Sequence, residues 1–94
     1  MNMLEEARED IDEIDARMAE LFVRRMEASS RVLEYKRKNG LPIFDPEREG
    51  AVIERGLERV SNSALKEHYR SFIVAVMDIS KAYQRELLEE NRDI

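Results

Sequence analysis

The chain has 94 residues, 16 Lys and Arg against 21 Asp and Glu, a formal net charge of −5 and no cysteine. The missing cysteines exclude disulfides and thiolate metal sites, and the acidic balance argues against a nucleic-acid partner. The longest apolar run, residues 72–77, is far too short to span a bilayer, so we expect a cytoplasmic location and no membrane partner.

The first predicted helix is long and amphipathic. It is free of Gly and Pro until Asn39-Gly40, which should end it. The heptad positions are Leu4, Ala7, Ile11, Ile14, Met18, Leu21, Arg25, Ala28, Val32 and Tyr35. Some 35 residues make a helix of about 52 Å, whereas a globule of this size has a radius of gyration of about 12 Å. The helix should therefore overhang any compact monomer.

Two further helices are predicted after this one. Asp45-Pro46-Glu47 is typical of a helix start, with an N-cap followed by proline in the first turn. A third helix should follow the break at Ser61-Asn62-Ser63 and run to about Glu90. The fold class is thus all-α, three helices in the order long, short, long, within one domain covering 1–94. Because so short a chain has a thin core, we expect oligomerisation to add to the apolar surface that the chain buries.

Two cations interrupt the apolar stripe of the first helix. Arg25 occupies the heptad position between Met18 and Val32, and a buried guanidinium is costly unless an anion meets it. Lys36 lies about three turns later, within roughly 20° of the same face. Together they favour an anion site. Taken singly, Arg25 could instead fix coiled-coil register, and Lys36 could complement the helix C-terminus.

The second and third helices also place polar side chains on their apolar stripes. Glu49 faces inward from the first turn of the second helix, beside Arg48, and Ser80 and Gln84 lie on the seam of the third. In isolation, Glu49 is a favourable acid near a helix N-terminus, and the other two could form a polar network between helices. The coincidence on three helices favours one polar pocket.

Residues for metal or covalent chemistry are scarce. His68 is the one histidine, and without cysteine it cannot build the usual zinc sites. The sequence has no Gly-rich phosphate loop and no nucleophile elbow. We therefore expect no metal, no cofactor and no covalent intermediate.

This ordered set of residues resembles the all-helical chorismate mutases, a class with a long first helix and interlocked dimers. The resemblance covers nearly the whole chain. Its elements are Arg8, Arg25, Lys36, the 42–49 segment, Ser80 and Gln84. It implies an intertwined homodimer that converts chorismate to prephenate, a pericyclic rearrangement in aromatic amino-acid (Phe and Tyr) biosynthesis.

The resemblance also implies a role for each residue. Arg25 and Lys36, with Arg8 of the partner subunit, would hold the two carboxylates of chorismate, and Ser80 would lie near one of them. Glu49, helped by Asp45 and Arg48, would receive the ring hydroxyl. Lys36 and Gln84 would donate to the ether oxygen, so the catalytic residues are Lys36, Gln84 and Arg25. Helix geometry independently separates Arg8 from Arg25 by about 25 Å, so one molecule cannot contact both in the same chain.

Two other functions fit the same pattern. A lyase that removes pyruvate from isochorismate would also need a cationic pocket around a pericyclic transition state, although Glu49 and Ser80 favour the mutase. A non-catalytic helical dimerisation module would tolerate apolar residues at Arg25 and Lys36, and such replacements should then stabilise the bundle.

Overall fold

The computed structural model describes residues 1–92, and helices account for most of them. Helix α1 spans Met3–Lys38, α2 spans Pro46–Glu58 and α3 spans Lys66–Arg92, with a one-turn 3-10 helix at Ser63–Leu65. Residues 1–92 contain no strand. The predicted all-α class and the order long, short, long are confirmed. Each described helix is too short or too polar to cross a membrane.

The ends of α1 and the start of α2 follow local side-chain chemistry. The Asn2 side chain accepts a hydrogen bond from the Glu5 amide at 2.9 Å and caps α1. After α1, Gly40 has a φ of 63°, a left-handed conformation that favours glycine. Asp45 caps α2 by accepting from the Arg48 amide at 3.1 Å. The predicted stop at Asn39-Gly40 and start at Asp45 are confirmed.

The break before α3 contains an extra turn. Asn62 accepts a hydrogen bond from the Ala64 amide at 3.0 Å and caps the 3-10 turn Ser63–Leu65, so α3 begins only at Lys66. Helix α3 continues to Arg92, two residues past the predicted end. These shifts are small because the helix pattern is continuous on either side of the break.

The core is thin and lies at one end of the molecule. Its buried apolar side chains are Met26, Leu33, Ile73 and Met77. The two from α1 are not on the predicted heptad stripe, although Met26 adjoins Arg25 and Leu33 adjoins Val32. Helix α1 therefore uses a neighbouring face to pack within its own chain.

Most of the heptad stripe of α1, including every position before Arg25, is open to solvent. Residues 1–24 are all exposed, and Leu4, Ile11 and Ile14 each retain more than half of their accessible surface. The radius of gyration is 16.9 Å and the longest dimension is 56 Å, close to the length of α1 itself. The prediction that α1 overhangs the rest of the chain is confirmed.

The two glycines of α2 should respond to alanine in opposite directions. A Cβ on Gly56 would lie 2.7 Å from Cε2 of Tyr69, so Gly56 lets α2 approach α3. We expect Gly56→Ala to lower the free energy of unfolding by about 1–2 kcal/mol through overpacking. Gly50 has open space around its Cβ position, so Gly50→Ala should raise that free energy by about 1 kcal/mol through helix propensity. Urea denaturation of both variants measures the two effects, and a stabilised Gly56→Ala would contradict the packing argument.

Candidate active site

A cavity of about 280 Å³ lies where the second half of α1, the segment before α2, the start of α2 and the middle of α3 meet. Its lining includes seven of the eight predicted site residues: Arg25, Lys36, Asp45, Arg48, Glu49, Ser80 and Gln84. The three helices thus bring together side chains separated by up to 59 positions in the sequence.

Arg25 is held in place by α3. Its Nη1 donates a hydrogen bond of 2.7 Å to Oγ of Ser80, which is buried. The Ser80 hydroxyl donates in turn to the Val76 carbonyl at 3.1 Å. Because that hydroxyl has one proton and uses it on the backbone, its oxygen faces Arg25 as an acceptor. Ser80 therefore orients the guanidinium and leaves its other N–H groups available.

Two backbone carbonyls orient the other predicted donors. Lys36 Nζ donates to the Ile43 carbonyl at 2.8 Å, and Gln84 Nε2 donates to the Ser29 carbonyl at 2.9 Å. A carbonyl only accepts, so the Gln84 amide must present its nitrogen there. An ammonium has three N–H bonds and an amide nitrogen two, and one on each is used. The remaining donors belong to side chains that line the cavity.

Glu49 forms an ion pair that the sequence analysis missed. Lys81 Nζ lies 3.2 Å from Oε1 and 3.0 Å from Oε2 of Glu49, and 4.8 Å from the ring centroid of Phe44. The hydrogen bond to Glu49 raises the pKa of Lys81, against the opposing effect of burial. Asp78, at 3.4 Å, raises it further. Lys81 lies three residues, about one helical turn, before Gln84, so the two side chains lie on the same face of α3. This spacing is the feature of the sequence that could have placed Lys81 at the site.

The charges around the cavity suit a small dianion. Its charged lining residues are the cations Arg25, Lys36, Arg48 and Lys81 and the carboxylates Asp45 and Glu49. Four cations against two carboxylates give a local net charge of +2, although the whole chain is acidic at −5. Among the described side chains, each buried nitrogen and oxygen atom has a hydrogen-bond partner. Hydrogen bonds within the chain also hold Arg25, Lys36 and Gln84 before any ligand arrives, which favours tight positioning.

Arg8 is outside this cavity. It lies on the exposed first part of α1, 17 residues before Arg25. On a continuous helix this separation is about 25 Å along the axis, with the two side chains roughly 100° apart. The structure therefore brings seven predicted site residues together within one chain and leaves Arg8 apart.

Comparison with known proteins places the chain in a family. Residues 7–85 match the family described as chorismate mutase type II. The chain belongs to this family. It is 33% identical to a chorismate mutase of Methanocaldococcus jannaschii over 91 residues, covering 96% of this chain and 92% of that protein.

Of two other relatives, one is much longer than this chain and the other carries a different enzyme name. The chain is 41% identical over 54 residues to the T-protein of Haemophilus influenzae, covering 57% of this chain and 14% of that longer protein. It is 28% identical over 78 residues to a 4-amino-4-deoxychorismate mutase of Streptomyces venezuelae, covering 83% of this chain and 73% of that protein. No solved structure is significantly similar to the chain.

Proposed function

We propose that this chain catalyses the rearrangement of chorismate to prephenate, the step that leads toward phenylalanine and tyrosine. The observation that supports it most directly is the preformed cavity with a net charge of +2 and fixed hydrogen-bond donors. Family membership supports the same conclusion. The cytoplasmic location inferred from the sequence remains a prediction.

The reaction requires no covalent chemistry from the protein. One carbon–oxygen bond of chorismate breaks while one carbon–carbon bond forms within the same molecule, so no atom or proton leaves. The protein must hold the enolpyruvyl arm over the ring, and it must stabilise the negative charge that grows on the ether oxygen. Both tasks call for oriented cations and donors, which is what the cavity contains.

The two carboxylates of chorismate are the groups through which the protein can position the substrate. Arg25, held by Ser80, offers a planar guanidinium suited to a bidentate grip on one carboxylate. In this arrangement Ser80 acts on the substrate mainly through Arg25. Lys36 and Arg8 of the partner subunit would also bind the substrate carboxylates. Glu49 would accept a hydrogen bond from the ring hydroxyl, with Asp45 and Arg48 nearby.

Lys36 and Gln84 are assigned to the ether oxygen. Each already donates one hydrogen bond to a backbone carbonyl, from Ile43 and Ser29 respectively, which fixes the nitrogen. Each nitrogen keeps further N–H groups for a ligand. Donors that need no reorganisation as charge develops are the main source of such catalysis. Removing one such donor lowers kcat by about 100-fold to 1000-fold.

We further propose that the working form is a homodimer. The exposed apolar stripe of α1 and an open groove of about 710 Å³ between the helices form one continuous uncovered surface. The groove is lined mostly by apolar residues such as Leu21, Phe22, Phe72 and Ile73, together with the four arginines Arg25, Arg48, Arg55 and Arg59. Arg25 and Arg48 also line the cavity. A second α1 seated there would cover the stripe and bring an Arg8 toward the cavity.

Product identity tests the proposed reaction against its nearest alternative. The purified protein is incubated separately with chorismate and with isochorismate, and prephenate and pyruvate are quantified. We expect prephenate from chorismate and no enzyme-dependent pyruvate from isochorismate. Pyruvate release without prephenate would favour the lyase, and a folded dimer that forms neither product would favour a non-catalytic dimerisation module.

Gln84→Glu should make activity depend on pH. A glutamic acid at this position can donate to the ether oxygen only while protonated, so activity should be highest at acidic pH. It should fall as pH rises through the pKa of the introduced carboxyl. Rates for Gln84→Glu and Gln84→Ala across mildly acidic to neutral pH check this, because Gln84→Ala has no donor at any pH. A flat profile for Gln84→Glu would contradict the role of Gln84 at that oxygen.

A further inference from the structure

Lys81 is the charged residue of the cavity to which the proposed reaction assigns no role. Its ammonium contacts both oxygens of Glu49, at 3.0 and 3.2 Å, and its side chain is only 18% exposed. The Phe44 ring covers it on another side. Glu49 is also largely covered, at 24% exposed. The two residues therefore form a partly buried ion pair between α2 and α3, facing the cavity.

This ion pair changes what Glu49 can bind. A lone carboxylate would attract a cation strongly, whereas a carboxylate already paired with an ammonium keeps lone pairs for a neutral donor. A hydroxyl can donate to it without a change in charge. A second ammonium placed against Glu49 would also face the ammonium of Lys81, and like charges a few ångströms apart in a partly buried site repel.

We propose that Lys81 positions Glu49 and makes the site select a substrate with a neutral ring hydroxyl over one with a protonated ring amine. This inference rests on the proposed function, which puts the ring substituent against Glu49. One relative of this chain is named as a 4-amino-4-deoxychorismate mutase and another as a chorismate mutase, so both kinds of substrate occur in the names of its relatives. An aliphatic amine is largely protonated at neutral pH, which gives the two substrates different charges at this one position.

The test compares both substrates on the same protein samples. We would measure kcat/KM for chorismate and for 4-amino-4-deoxychorismate with the wild type, Lys81→Met and Lys81→Arg. Lys81→Met keeps the length of the side chain and removes its charge, and Lys81→Arg keeps the charge. Lys38→Met is a matched control, because Lys38 forms an exposed ion pair with Glu34 at 3.1 Å on α1. The ratio of the two kcat/KM values cancels any loss of folded protein, so a purely structural role would not change it.

We expect the wild type to prefer chorismate and Lys81→Met to shift the ratio toward the amino substrate by at least about tenfold, or about 1.4 kcal/mol. Lys81→Arg and Lys38→Met should keep the wild-type preference. An unchanged ratio in Lys81→Met, or an equal shift in Lys81→Arg, would overturn the proposal. A wild type inactive on both substrates would instead contradict the proposed function. The dissociation constants of the two compounds, measured by calorimetry, would then give the ratio that decides the role of Lys81.

Discussion

Arg8→Ala and Arg25→Ala are each expected to be nearly inactive as homodimers, and a mixture of the two should regain activity. If each pocket takes Arg25 from one chain and Arg8 from the other, both pockets of either homodimer lack one arginine. Each arginine would hold a carboxylate through charge-assisted hydrogen bonds. We expect each substitution to lower the reaction rate by at least about 100-fold, because misplacing the substrate by about 1 Å already lowers a rate by that much.

The mixed dimer separates the two defects. One of its pockets receives the intact Arg25 of one chain and the intact Arg8 of the other, while the second pocket receives both alanines. Random reassembly of equal amounts gives about half mixed dimers, so about a quarter of all pockets should regain the wild-type set. Activity after co-refolding, with the fraction of mixed dimers measured by native mass spectrometry, tests this figure.

A second mixture provides the control. Arg25 and Lys36 line the same cavity of one chain, so co-refolding Arg25→Ala with Lys36→Ala leaves one defect in each pocket of a mixed dimer. That mixture should stay inactive. If the first mixture forms mixed dimers and stays inactive as well, the shared pocket is wrong.

Lys36→Ala should lower kcat by at least about 100-fold, the cost of one lost preorganised donor at a developing negative charge. Its effect on folding should be small, because the side chain makes one hydrogen bond, to the Ile43 carbonyl, worth about 1 kcal/mol. Steady-state kinetics and urea denaturation measure both quantities. Lys38→Ala is the matched control in the same helical turn, since Lys38 is exposed and pairs with Glu34. Near-normal turnover in Lys36→Ala would leave Lys36 as a residue that only complements the end of α1.

The helices could be predicted from the sequence because their limits are set locally. Asn39-Gly40 and Asp45-Pro46 satisfy backbone groups within a few residues of themselves, and the structure has helix ends at both. The candidate site could be predicted in part because Arg25, Glu49 and Gln84 are polar on stripes that are otherwise apolar. Such conflicts between pattern and residue type tend to mark functional positions.

The remaining features depend on how distant segments approach each other. Lys81 lies beside the seam of α3, and its pairing with Glu49, 32 residues away, follows only from how closely α2 packs on α3. Met26 and Leu33 are buried for a similar reason, since their face of α1 packs inside the chain while most of the heptad stripe stays exposed. Periodicity identifies an apolar face, but it does not determine whether the same chain or a second copy covers it.

A cavity of fixed cations and donors should accelerate the rearrangement of chorismate. The test is the rate at which the ultraviolet absorbance of chorismate is lost with the purified wild-type protein, relative to buffer alone, with prephenate confirmed as the product. We predict an acceleration of about a millionfold, equivalent to about 8 kcal/mol of transition-state stabilisation. A rate within about tenfold of buffer, from protein shown to be folded and dimeric, would contradict the proposed role of this cavity.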